Sequence, residues 1–120
     1  MGDRVNFVFK EGEDQPVLVL YSHWGYTSRH EDLAAALNHA KPRWSDSSYA
    51  NRMVISWMLN GQLMNETGYG IYALAPDKLS ELWDDCVTID WERKQVDGHD
   101  FDKYVDFYSE NTCTCGCAQL

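Results

Sequence analysis

A continuous apolar run over residues 17–22 constrains the fold more than any other stretch of this chain. It reads Val-Leu-Val-Leu-Tyr-Ser, without the alternation of a strand that faces water on one side, so it predicts a strand buried on both faces. Residues 4–10 form a second segment of strand character, rich in Val and Phe. Only a polar connection with Gly12 and Pro16 separates the two, which predicts an antiparallel hairpin.

Two helical patterns follow the hairpin. The first starts near Ser28 and runs to Ala40, with Leu33, Ala36 and Leu37 on its core face and Pro42 closing it. The second runs from Trp44 to Asn60 and ends at Gly61. Its broad apolar face consists of Tyr49, Ala50, Met53, Val54, Trp57 and Met58.

Strand character returns over residues 69–74, 86–91 and 95–97, and helical spacing over residues 100–110. Cys86 is expected to be a small buried hydrophobe within its strand. Strands followed by helices and more strands indicate a single α+β domain over residues 1–110. We expect a mostly antiparallel sheet of four or five strands, with two main helices packed on one face and a Cys-containing C-terminal tail over residues 111–120.

The acidic balance of the chain limits its partners. A formal net charge of −9 argues against direct nucleic-acid binding, which needs clustered Lys and Arg, and against an anionic membrane surface. No run of 18 apolar residues and no apolar signal region occur, so we expect no membrane contact and a cytoplasmic location.

No phosphate loop, catalytic triad or paired metal-ligand spacing is present, so we expect no cofactor. Cys113, Cys115 and Cys117 form a Cys-x-Cys-x-Cys tail. Their thiolates are a possible zinc or copper(I) site, although zinc sites usually pair cysteines at wider spacing. The alternative, which we favour, is a tail with oxidisable thiols and no metal.

Three connecting segments mix aromatic, polar and glycine residues, and connections are where binding groups commonly sit. They read Tyr-Ser-His-Trp-Gly-Tyr over residues 21–26, Pro-Arg-Trp-Ser-Asp over residues 42–46 and Asn-Glu-Thr-Gly-Tyr-Gly over residues 65–70. Aromatic rings can stack on a planar group, and arginines near helix starts can hold an anion. The predicted ligand-binding residues are His23, Trp24, Arg43, Trp44, Arg52, Glu66 and Tyr69.

Two of these residues also allow a catalytic interpretation. Histidine is a common acid–base residue, so His23 could form an acid–base pair with Glu66. Alternatively, His23 fastens its turn and Glu66 forms an ion pair with Arg52. The sequence places no third catalytic group beside them, so the structural interpretation is favoured.

The same segments resemble a family of small bacteriophage-encoded proteins, mainly from phages of actinobacteria. The similar blocks are Gly2-Asp3-Arg4 with Asn6-Phe7, Tyr21 to Gly25, Pro42-Arg43-Trp44, Tyr49-Ala50 with Arg52, Glu66 to Gly70, and Asp90-Trp91. The similarity covers roughly residues 2–97, and the extension from Phe101 departs from the pattern. The resemblance implies a phage or prophage accessory role in an infected or lysogenic host cell and no particular reaction.

Three functions follow as hypotheses. The favoured one is binding, either to sequester a nucleotide-like small ligand or to block a host defence protein. The second is a small hydrolase or transferase that acts on a nucleotide-like substrate with His23 and Glu66. The third is an acidic mimic of nucleic acid that engages a basic host protein. A homo-oligomer is also possible, because so many aromatics can leave an apolar patch for a second copy.

Overall fold

A computed structural model describes residues 3–82 and 85–116, with side chains described as far as residue 108. Six strands and three helices occur in this part of the chain, together with two short 3₁₀ segments. In chain order they are β1 (Val5–Lys10), β2 (Val17–Ser22), α1 (Arg29–His39), a 3₁₀ turn (Lys41–Arg43), α2 (Ser47–Met58), β3 (Tyr69–Leu74), a 3₁₀ segment (Pro76–Glu81), β4 (Asp85–Asp90), β5 (Gln95–Val96), β6 (His99–Asp100) and α3 (Phe101–Gly116).

The six strands form one mixed sheet in the order β3-β2-β1-β4-β5-β6. The predicted β1–β2 hairpin is confirmed, and β3 adds antiparallel to β2. The sheet is mostly antiparallel, as expected, because four of its five strand pairings are antiparallel. The expectation is corrected in strand number, since six strands are present instead of four or five, and in the parallel pairing of β4 with β1. The long connection through both helices and β3 lets the chain re-enter the sheet in the direction of β1.

One face of the sheet carries the main core. Phe7, Phe9 and Leu20 of the sheet pack with Leu37 of α1 and Val54 of α2, all almost fully buried. We predicted that two helices pack on one face of the sheet, and α1 and α2 both contribute to this core. α3 contributes to it as well, through the buried residues Phe101, Tyr104 and Val105. The described backbone of α3 continues to Gly116, beyond the residue at which we placed the start of the tail.

The opposite face carries a smaller cluster of Val8, Val17 and Val19, covered by Leu74, Leu79 and Leu82. β2 is therefore buried on both sides, as its unbroken apolar run predicts. Cys86 lies on β4 but is exposed, which corrects the expectation that it is buried. It lies near the start of its strand, where Asp85 is exposed as well and burial begins only at Val87.

The second helix begins three residues later than predicted. Lys41–Arg43 forms a separate 3₁₀ turn that ends at Trp44, and α2 starts at Ser47 after Asp46. Pro42 lies inside that 3₁₀ turn, where its missing N–H costs no helical hydrogen bond. No helix in the described residues is long and apolar enough to cross a bilayer.

Candidate functional site

The three segments selected from the sequence divide between the two ends of the sheet. Trp24 follows the end of β2, which pairs with the beginning of β1 at Val5. Trp44 precedes Ser47, whose hydroxyl donates to the carboxylate of Glu11 just after the end of β1, at 2.7 Å. A strand of six residues spans about 17 Å, so Trp24 and Trp44 cannot flank one small ligand. We call the two regions the Trp24 end and the Trp44 end.

At the Trp24 end, the first and third segments meet. The backbone N–H of His23 donates to the carbonyl of Gly68 at 2.9 Å. Gly68 has φ +104°, and the Cβ position that it leaves vacant lies 3.8 Å from Trp24 Nε1. Glycine adopts this conformation without the strain that a side chain would add. Gly68 therefore lets the two loops approach while Trp24 remains 67 % exposed.

The His23 ring is held from two sides. Tyr21 Oη and His23 Nδ1 lie 2.7 Å apart in a hydrogen bond. The His23 and Trp24 rings meet nearly edge to face, with centroids 4.3 Å apart. Both contacts orient the imidazole, as the structural interpretation of His23 expects.

The other predicted residues of this end occupy different environments. Tyr69 is half-buried and packs against the main core, whereas Glu66 is exposed. Among the described residues, no hydrogen bond joins Glu66 to His23, and Arg52 donates to Ser56 on its own helix at 3.3 Å. The hydrogen bonds therefore give no direct support to either the acid–base pair or the ion pair of Glu66 with Arg52.

The arginines near the helix starts do not converge. The Arg29 guanidinium lies 3.8 Å from the centroid of the Tyr26 ring at the start of α1, which is the Trp24 end. The Arg43 guanidinium lies 5.2 Å from the centroid of the Tyr49 ring near the start of α2, which is the Trp44 end. Each cation stacks on a neighbouring tyrosine, an arrangement typical of surface cation–π pairs.

At the Trp44 end, the indole is fixed by α1. Its Nε1–H donates to the carbonyl of Leu37 at 3.0 Å, and its ring meets Phe101 with centroids 4.9 Å apart. The Lys41 ammonium lies 5.6 Å from the ring centroid. Trp44 is half-buried, so part of a rigidly held ring faces outward.

The outward part of Trp44 borders a cleft of about 420 Å³. We call it the Trp44 cleft. It is lined by Trp44, Arg93, Lys94, Asp100, Phe101, Asp102 and Lys103. A neighbouring depression of about 180 Å³ shares Trp44 and Lys94 with it and adds Ser45, Ser47 and Trp91, among others. The cleft itself joins one aromatic wall to three cationic side chains and two carboxylates.

Several of these charges are already paired. Asp102 forms an ion pair with Lys41 at 3.4 Å. Arg93 contacts Asp90 at 2.9 Å and Glu13 at 3.3 Å. Burial acts to raise the pKa of Asp90, but hydrogen bonds from the Arg93 backbone and guanidinium outweigh it and hold the pKa below its usual value. Lys94 donates to the carbonyl of Trp91 at 2.9 Å, and Lys103 has no ion pair among the described residues.

Sequence reasoning did not select Arg93, Lys94 or Lys103. The first two lie in the turn between β4 and β5, where Lys94 has φ +58°, and Lys103 lies in the first turn of α3. Residues other than glycine seldom adopt the left-handed backbone conformation, and where they do it often marks a tight turn. The charged triplet Glu92-Arg93-Lys94 was visible, but its proximity to Trp44 depends on long-range packing.

A second aromatic group lies between α1 and α3. His30 Nδ1 and Tyr104 Oη are 2.9 Å apart, and the His30 ring stacks on Tyr108 with centroids 5.0 Å apart. Burial, followed by the charge of Arg29, lowers the pKa of His30, and burial raises the pKa of Tyr104. A cavity of about 320 Å³ beside them is lined by His99, Lys103, Tyr104, Phe107 and Tyr108.

The described residues contain no group of three potential metal ligands. The predicted thiolate tail cannot be placed, because the side chains of Cys113 and Cys115, and Cys117 as a whole, lie outside the described residues. No protein-family model matches the chain, and no curated protein or solved structure is significantly similar to it.

Proposed function

We propose that this protein is a phage or prophage accessory protein that acts by binding, and that it sequesters a small, nucleotide-like anion in the Trp44 cleft. The observation that carries the proposal is a cleft of about 420 Å³ in which a fixed indole adjoins the side chains of Arg93, Lys94 and Lys103. The phage origin rests on the sequence blocks that resemble the phage family.

The dimensions and lining of the cleft support a small ligand. Sites for small molecules usually have volumes of about 300–1,000 Å³ and combine an aromatic or apolar wall with a few polar groups. A nucleobase can stack on the exposed part of Trp44, because its indole is held by Leu37 and Phe101 and loses little freedom on binding. A phosphate on the same ligand would reach Lys94 or Lys103.

The charges limit how anionic the ligand can be. Asp100 and Asp102 line the same cleft as the three cations, so the local excess of positive charge is small. The chain as a whole carries a formal charge of −9, which repels anions at long range. Both features favour a ligand with one phosphate group over a polyphosphate.

Native mass spectrometry of the protein purified from cells tests sequestration directly, because a retained ligand adds its own mass and is released on mild denaturation. Calorimetric titration with adenosine monophosphate then serves as a defined probe, with adenosine and inorganic phosphate as its two halves. We expect the intact nucleotide to bind more tightly than either half. No ligand in the purified protein, together with no heat from any probe, would refute the proposal.

A charge reversal localises the site. Lys103→Glu should weaken binding about tenfold, which corresponds to about 1.4 kcal/mol, because Lys103 lines the cleft. Lys78→Glu is the control, since Lys78 is also exposed but lies in the 3₁₀ segment on the opposite face of the sheet. Equal losses in the two variants would indicate a general charge effect rather than binding in the cleft.

A second function, the blocking of a host protein, is favoured by the exposed aromatic at the Trp24 end. Trp24 is 67 % exposed, and Leu63 and Met64 in the adjoining loop are 66 % and 95 % exposed. Tryptophan held by a rigid turn is a frequent binding anchor at protein interfaces. Trp24→Ala should abolish the capture of a host protein. Tyr49→Ala should retain that capture and serves as the control, because Tyr49 is also an exposed aromatic, at 55 %, but lies on α2. Capture that is equal in both variants would exclude this surface.

A further inference from the structure

The strand β3 forms one edge of the sheet. Among the described strands its only neighbour is β2. Its sequence, Tyr-Gly-Ile-Tyr-Ala-Leu, contains no charge and no proline. Natural edge strands are usually protected by lysine, proline, a bulge or very short length, because an open edge is a template for pairing. β3 has six residues and none of the protecting residue types, and Ile71 on it is 53 % exposed.

The order of side chains along β3 is self-complementary. If a second β3 runs antiparallel to the first with Ile71 opposite itself, then Tyr69 lies opposite Ala73 and Gly70 lies opposite Tyr72. Each tyrosine therefore meets a small residue, and Ile71 meets the Ile71 of the second copy, an apolar cross-strand pair. An added Cβ at Gly70 would find no atom of the described residues within 4 Å, so this part of the structure leaves open space where the opposite tyrosine would lie.

The backbone does not explain why residue 70 is glycine. Gly70 is not among the residues with positive φ, in contrast to Gly68 two positions earlier. Glycine within a strand often marks the close approach of another group. The open space and the ordinary backbone conformation together indicate that the group at Gly70 comes from outside the described residues.

We propose that β3 pairs with β3 of a second copy of this chain, antiparallel and with Ile71 on the two-fold axis. The two six-stranded sheets would then form one continuous sheet. A two-fold axis makes the same surface serve both partners, which the pattern of large and small residues satisfies. The strand also has no charged residue, so like charges of two acidic copies do not meet at the contact. This interaction is separate from the Trp44 cleft and independent of the proposed function.

Sedimentation velocity of the full chain at increasing concentration tests the pairing. The wild type should shift from monomer to dimer, and added salt should strengthen the dimer, because salt screens the repulsion between two chains of charge −9. Ile71→Asp should remain monomeric, since two carboxylates would face each other across the axis. Phe107→Asp is the matched control, because Phe107 is 60 % exposed on α3, and this variant should dimerise like the wild type.

A mixing experiment tests the register. Ile71→Lys alone should also be monomeric, but an equimolar mixture of Ile71→Asp and Ile71→Lys should form a heterodimer, because opposite charges then meet at the axis. Circular dichroism confirms that each variant is folded, which the exposure of residue 71 favours.

Three results would overturn the inference. The first is a wild type that stays monomeric at every concentration, which would leave the edge for an extended peptide of another protein. The second is a dimer that survives Ile71→Asp, since its interface must lie elsewhere. The third is a mixture of the two charged variants that remains monomeric, which would exclude residue 71 from the axis.

Discussion

One hydrogen bond ties α2 to the end of β4, and its removal should measurably weaken the fold. Trp91 is 3 % exposed, and its Nε1–H donates to Asn51 Oδ1 at 2.6 Å. Asn51→Ala leaves this N–H buried without its acceptor, which costs about 1–3 kcal/mol. With an unfolding entropy of about 2.1 cal/mol/K per residue, a chain of 120 residues loses about 4 °C in Tm for each kcal/mol.

A double-mutant cycle separates the hydrogen bond from packing. Trp91→Phe also breaks the bond and leaves a small cavity, while retaining an aromatic ring against Phe101, whose centroid is 5.3 Å from that of the indole. Because each single change removes the same interaction, the double variant should be less destabilised than the sum of the two by about 1 kcal/mol. Asn51 is half-exposed, so water can satisfy its amide in Trp91→Phe.

Urea unfolding followed by far-ultraviolet circular dichroism is the suitable assay, because Trp91 is itself a fluorophore. Asn38→Ala is the control, since Asn38 is exposed on α1 and should change the free energy of unfolding by less than about 0.5 kcal/mol. The stabilising role of this hydrogen bond is refuted if Asn51→Ala behaves like the control, or if the effects of the two single changes simply add.

Three further predictions concern other residues. Ser22→Ala should stabilise the protein by about 1 kcal/mol in thermal unfolding, because the buried Ser22 hydroxyl has no hydrogen-bond partner among the described residues; an unchanged Tm would point to a bound water. Gly68→Ala should lower the free energy of unfolding by about 1–2 kcal/mol because φ of residue 68 is +104°. Gly70→Ala should leave that free energy unchanged or raise it for the monomer, and equal losses in the two variants would contradict the backbone strain assigned to residue 68. The pKa of His30 is lowered in the fold, so the unfolded chain binds a proton at a higher pH than the folded chain does. The free energy of unfolding should therefore fall as the pH drops below about 6.5. His30→Gln should reduce the difference in this free energy between pH 8 and pH 5, measured by urea unfolding.

Local patterns were sufficient for most elements of the fold. The strand over residues 69–74 was predicted with the bounds that the structure has, and the buried character of β2 followed from its unbroken apolar run. The parallel pairing of β1 with β4 could not be predicted in this way. It joins segments about 80 residues apart, and neither strand carries a local signal of its partner. The two-residue strand β6 was too short for periodicity to detect.

The distribution of the candidate site residues has a simple physical origin. β2, α1 and α2 follow one another, and helices of 11 and 12 residues are about as long as a strand of six. Successive connections therefore fall at alternating ends of the sheet. The first and third connections therefore share the Trp24 end, where His23 bonds to Gly68, and the second lies at the Trp44 end. This alternation was available from the order of elements. The position of Lys103 in the lining of the Trp44 cleft could not be predicted in the same way, because it depends on how α3 packs beside Trp44.

The separation of the two ends decides how variants can be interpreted. Residues farther apart than about 7–10 Å, without shared partners, usually have additive effects, and the length of β1 alone puts about 17 Å between the ends. A change at Trp24 should therefore leave nucleotide binding at Lys103 intact, and a change at Lys103 should leave protein capture at Trp24 intact. If one exposed substitution abolished both, the two activities would have to depend on a common feature, and the assignment of ligand and partner to separate ends would be wrong.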